Sequence, residues 1–227
     1  MVQSAKTKLI ESPVEIAVGP TLLHADLTVP DGARGLVLFA HGSGSSRHSS
    51  RNRFVARQLQ AASLATLLLD LLSEEEERRD REDARLRFDI EFLADRLIAA
   101  TDWAGRNSTT AKLAFGYFGA STGAAAALVA ATSRPKRVAA VVSRGGRPDL
   151  AGTALGEVRA PTLLIVGGRD EHVIPLNEMA LDRLGAKTKH LTIVPGATHL
   201  FEEPGTLEEV ARLATEWFDR HLRSGST

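Results

Sequence analysis

The chain contains no cysteine. That absence removes disulfides, thiolate metal ligands and any cysteine nucleophile in one step. Neither sign of charge is in excess, because Lys+Arg and Asp+Glu each number 28. No global basic field therefore argues for nucleic acid or an anionic membrane surface. No apolar run reaches transmembrane length, and the opening stretch "MVQSAKTKLIESPVEI" has no apolar h-region. A cytoplasmic protein with neither nucleic-acid nor membrane partners is the expectation. Internal repeats and low-complexity linkers are also missing, so residues 1–227 are expected to form one domain. What is present is ordinary for a soluble globular chain: 43% apolar and 25% charged residues.

Short apolar runs alternate with longer helical patterns. Val14–Val18 and Leu22–Val29, split by Gly19-Pro20, read as an antiparallel opening pair. "GLVLFAHG" (Gly35–Gly42), "ATLLLDLL" (Ala65–Leu72), "KLAFGYFG", Arg137–Ser143, Thr162–Gly168 and His190–Gly196 read as buried strands. Between and after them, "FVARQLQAA", Arg87–Trp103, "TGAAAALVAATS", Ile174–Leu184 and Leu207–Leu222 have helical spacing. Continuous apolar strands separated by helices predict an α/β fold: a doubly wound, mostly parallel sheet with helices on both faces. The charged run "SEEEERRDREDARLR" (Ser73–Arg87) reads as a solvated loop and helix start with opposite charges at i,i+4 spacing. It lacks the convergent spacing a metal site needs, and no metal or cofactor is expected.

Gly119-Ala120-Ser121-Thr122-Gly123 fits G-x-S-x-G, where a serine is exposed on a sharp strand-to-helix turn. Small neighbours are needed there because one element's backbone approaches the other. The same pentapeptide is compatible with a merely tight turn, so the surroundings decide. A serine hydroxyl needs a base to take its proton, and the base needs a partner that holds its tautomer. Asp170 lies just past the strand in "LLIVGGRDEHVIP", and His199 just past the last strand in "LTIVPGATHLFEEPG". The order Ser, Asp, His suits this elbow, and all three fall at carboxyl ends of strands, where open α/β sheets place their sites.

"AHGSGSS", "GYFGASTGAAAAL", "VGGRDEHVIP" and "PGATHLFEEPG" together resemble the α/β-hydrolase superfamily, nearest its dienelactone-hydrolase-like branch, over roughly Leu22 to Leu222. The resemblance implies Ser121 as nucleophile, His199 as base and then acid, and Asp170 as the residue orienting His199. It also implies an oxyanion hole built from backbone N–H groups, that of Thr122 and, in the loop after the third strand, that of Ser43. Dienelactone hydrolases carry cysteine at the nucleophile position. Ser121 in its place favours general ester hydrolysis, with a small-molecule ester as substrate. His41 is expected to prop the oxyanion loop by hydrogen bonds, and His172 to be a surface histidine.

Only the eighteen residues from Arg144 to Pro161 separate the sixth and seventh strands, so no cap domain is expected and the site should be open. Arginines gather in strand-end loops: Arg47 and Arg51 in one, Arg144 and Arg147 in another. They are candidates to hold a substrate carboxylate or phosphate, and equally candidates for pairing with nearby Asp and Glu. Two other functions remain open on the sequence: acyl transfer to an alcohol or amine, and a non-catalytic binding module on the same fold.

Overall fold

The computed structural model describes residues 9–222. Eight strands form a sheet in the order β1-β2-β4-β3-β5-β6-β7-β8. They are β1 (Leu9–Val18), β2 (Thr21–Pro30), β3 (Gly35–Ala40), β4 (Ala65–Leu69), β5 (Ala114–Ala120), β6 (Val138–Arg144), β7 (Thr162–Gly167) and β8 (Lys189–Val194). β2 runs antiparallel to both β1 and β4, and the pairs from β4 through β8 are parallel. The helices are α1 (Ser50–Ala61), α2 (Glu74–Asp83), α3 (Ile90–Ala104), α4 (Thr122–Ser133), α5 (Ile174–Arg183) and α6 (Thr206–His221).

Alternation along the central strands explains the two layers. Leu36 and Leu38 of β3 face one way, packed with Leu97 of α3 and Leu128 of α4. Val37 and Phe39 face the other way, packed with Val55 and Leu59 of α1 and Phe218 of α6. A strand apolar on both faces can sit only between two helical layers. Turns of 3-10 helix over Pro148–Glu157 fill the connection from β6 to β7, and no cap is inserted there.

The charged run is partly as expected. Glu75–Arg79 and Glu77–Arg81 make exposed i,i+4 pairs at 3.9 and 4.0 Å. The inward residues differ: Glu76 and Asp80 are buried, at 7% and 1% exposure. Glu76 closes a capping box with Ser73 and pairs with Arg96 at 2.6 Å, while Asp80 accepts from Arg87. Amphipathic burial of one face of α2 wins because each inward carboxylate has a guanidinium to meet it.

Candidate active site

β5 delivers Ser121 into a backbone conformation that few L-residues adopt, φ 51° and ψ −122°. Three backbone hydrogen bonds hold it there. Its N–H donates to the Arg144 carbonyl at 3.3 Å, and its carbonyl accepts from Arg147 and Ala124, each at 3.1 Å. The hydroxyl caps no N–H of α4, so it is left for other work. A Cβ on Gly123 would stand 2.3 Å from the Ala40 carbonyl oxygen, so only glycine lets α4 begin this close to β3. The start of α4 also places its unpaired N–H groups beside the serine, a setting that favours negative charge.

Asp170 and His199 come together on the same sheet edge. The Asp170 carboxylate oxygen Oδ2 and His199 Nδ1 are 2.6 Å apart, with side-chain exposures of 11% and 38%. Asp170 is fixed by the turn that starts α5: its N–H donates to Gly167, and its carbonyl accepts from Val173 and Ile174. The His199 loop is fixed by Glu203, whose carboxylate accepts the Thr198 N–H at 3.0 Å. That bond holds the Glu203 carboxyl below its usual range. The two loops touch so closely that a Cβ on Gly167 would lie 2.4 Å from the Ala197 carbonyl oxygen. Gly145 joins them to the serine: its Cβ position would be 3.6 Å from His199 Nδ1, and its neighbour Arg144 is the residue that accepts the Ser121 N–H. Ser121, Asp170 and His199 thus converge around the Arg144–Gly145 turn.

His41 props the loop after β3 by hydrogen bonds. Its Nε2 accepts the Leu71 N–H at 3.0 Å and its Nδ1 donates to the Gly42 carbonyl at 2.9 Å, which requires the neutral ring. Burial lowers its pKa accordingly. His172 is exposed in the turn before α5.

The other candidate groups already have partners of their own, to different degrees. The Ser43 N–H is not an idle donor: it is engaged with the Thr122 hydroxyl at 3.0 Å. Thr122 is buried at 3% exposure, so its oxygen is the acceptor that this N–H finds. Arg47 pairs with Asp70, with Asp26 at 3.6 Å, but keeps a buried Nε without a hydrogen-bond partner, and Arg147 makes a bidentate pair with Asp149 at 2.8 and 2.7 Å. A guanidinium held bidentately by a carboxylate, as Arg147 is, has little left for substrate. Arg144 alone of the four arginines meets no carboxylate among the described residues, and contacts Asn52 at 3.3 Å instead. Glu203 and Asn52 escaped the sequence reading, because nothing in their local pattern marks them.

A narrow cleft opens beside this loop, between Gly42–Ser46, Thr122, Leu71 and the Glu77 and Asp80 side of α2.

The sequence profile of the Dienelactone hydrolase family matches residues 24–222. The chain belongs to the dienelactone hydrolase family. Its fold follows from that membership. A crystal structure of dienelactone hydrolase from Anabaena variabilis is 60% identical, with a TM-score of 0.92 over 95% of this chain and 99% of that one. Est1E from Butyrivibrio proteoclasticus superposes with a TM-score of 0.76 over 92% of this chain and 98% of its own, but at 16% identity it shares the fold alone. Two Mycobacterium tuberculosis proteins, each named "Putative phosphoribosyl transferase", are 59% identical over 219 residues. That match spans 96% of this chain and 48% of each relative, so the chain covers about half the length of the curated relatives it matches. No helix among the described residues is long and apolar enough to cross a membrane.

Proposed function

We propose that this member of the family is a serine hydrolase that cleaves small carboxylic esters or lactones through an acyl-enzyme. The observation carrying the reading is the strained, uncapped Ser121 set on the same edge as the Asp170–His199 pair at 2.6 Å. Ser121 attacks the carbonyl carbon, and His199 takes the hydroxyl proton through Nε2 while Asp170 holds Nδ1–H. The oxygen that gains charge is met by the Thr122 N–H and, once it is shared or released by the Thr122 hydroxyl, by the Ser43 N–H. His199 then protonates the leaving alcohol. Water, deprotonated by the same imidazole, releases the acid.

The absence of a cap between β6 and β7 leaves water free to enter, which favours hydrolysis over acyl transfer. The transferase name borne by the mycobacterial relatives belongs to proteins about twice as long. We assign ester chemistry to this chain because it carries the elbow, Gly119-Ala120-Ser121-Thr122-Gly123.

Hydrolysis of p-nitrophenyl esters from acetate to decanoate, by wild type and Ser121→Ala side by side, tests the reading. Wild type should cleave the short chains, and the variant should lose roughly a thousandfold or more in kcat with its fold intact. Equal rates in both proteins, or labelling of neither by a serine-reactive phosphonate, would return the molecule to the binding-module reading.

A further inference from the structure

Arg144 ends β6 next to the nucleophile, yet its side chain takes the face of the sheet that α1 and α6 cover. There it is 6% exposed, with the guanidinium 6.0 Å from the Phe201 ring centroid. Its single hydrogen bond among the described residues is the long one to the Asn52 side chain, and its Nε has no partner. Among the described residues no carboxylate lies within ion-pair distance of it. A buried cation left uncompensated is costly, so natural interiors almost always supply a counter-charge.

The neighbouring cation makes matters worse. Arg51, in the first turn of α1, stands near enough that its charge adds to burial in pushing Arg144 down to about 10. Arg51 also has a buried Nε without a partner. Its one ion pair reaches Glu202 at 3.2 Å, and that carboxylate is 63% exposed. Two like charges from separate elements, each with a buried Nε that meets no partner, have as their one ion pair among the described residues a surface carboxylate that can swing into water. The other strand-end arginines differ in their counter-charge: Arg147 and Arg47, whose Nε is likewise unpartnered, are each tied to a carboxylate only 16% exposed.

We propose that Arg51 and Arg144 form an anion subsite beside Ser121, that it receives a phosphate group of the substrate, and that Glu202 is its displaceable internal occupant. The subsite deepens the ester-hydrolase reading, since it supplies the substrate class: an ester that also carries a phosphate group. Phosphate suits it better than carboxylate because two guanidiniums offer more donors than the two oxygens of one carboxylate can accept from. The position fits a substrate bridging both places. The Arg144 carbonyl holds the Ser121 N–H, and Glu202 is three residues beyond His199 in the same loop. An anion that replaces Glu202 meets Arg51 directly, with the Arg144 charge behind it.

The test is titration of inorganic phosphate, followed calorimetrically at constant ionic strength, with acetate as the competing anion. It is run on the Ser121→Ala protein, so that binding is read without any catalytic step. Saturable phosphate binding is expected. Arg51→Gln should weaken it about tenfold or more, and Glu202→Gln should tighten it severalfold by removing the internal competitor. Arg51 is half-buried at the start of a helix, so this variant keeps the test open even if Arg144→Met fails to fold. Absence of saturable binding in both the Ser121→Ala and the Ser121→Ala/Glu202→Gln proteins overturns the proposal. So does binding that Arg51→Gln leaves unchanged, or acetate binding as tightly as phosphate. Loss of the subsite in these titrations leaves the esterase assay untouched, so the two readings fail separately.

Discussion

At the scale of single residues, the decisive atoms are those whose hydrogen bonds leave something over. Ser121 has its backbone fully engaged and its hydroxyl uncommitted by its helix, which is the condition a nucleophile needs. Thr122 is the opposite case, because its hydroxyl accepts the Ser43 N–H and so ties together the two peptide donors proposed for the oxyanion. That bond positions the loop after β3. Thr122→Val keeps the shape and removes the acceptor, and should lower kcat on a short ester about tenfold, with KM little changed. Thr122→Ser should restore most of the rate. A valine variant as fast as wild type would show that the hydroxyl holds nothing the reaction uses.

Elements matter through how closely their ends approach. The turn after β7 carries Asp170, the turn after β8 carries His199, and Gly167 is one point where the two loops come closest. Gly167→Ala would drive a methyl to within 2.4 Å of the Ala197 carbonyl oxygen, so the His199 loop must move away from Asp170. Displacements of this order cost roughly a hundredfold in kcat when the base loses its alignment. Steady-state kinetics on the short ester, alongside a thermal melt, would check this. A destabilised variant with full kcat would mean the two turns shift as one body and keep their bond. α2 shows the same logic in its packing: Ser73 and Glu76 cap it reciprocally, and the buried carboxylates Glu76 and Asp80 each face an arginine.

For the whole molecule, burial of ionisable groups links stability to pH. His41 is held neutral inside the fold, with its pKa lowered chiefly by desolvation. In the unfolded chain it titrates as an ordinary imidazole, so the unfolded state binds the extra proton first as pH falls. Its contribution is therefore fully present above about pH 6.5 and is lost progressively below it. Urea midpoints should fall between about pH 7.5 and 5, and His41→Gln should flatten part of that slope. A wild-type midpoint constant over the range would contradict the buried neutral ring. Much of this architecture was legible beforehand. Apolar runs such as "LVLFA" and "LLIVG" announce strands covered on both faces, and their alternation with helical patterns leaves little choice but a parallel sheet. Ser121, Asp170 and His199 could be found because local sterics mark each one: small residues around a sharp turn, and loops that open at strand ends. Strand order, with β4 between β2 and β3, and the burial of Glu76 and Asp80 within a run of charge, could not be read this way. The arginines divide along the same line. The Arg147 pair with Asp149 spans two residues and lies within the reach of local pattern, whereas Arg47 meets an aspartate from β2 and another just past β4. Which carboxylate a long side chain finds, and that Arg144 finds none, depends on atoms brought together from distant parts of the chain. Local chemistry repeats along a sequence and can be read there, but a balance of buried charge exists only once the elements have packed.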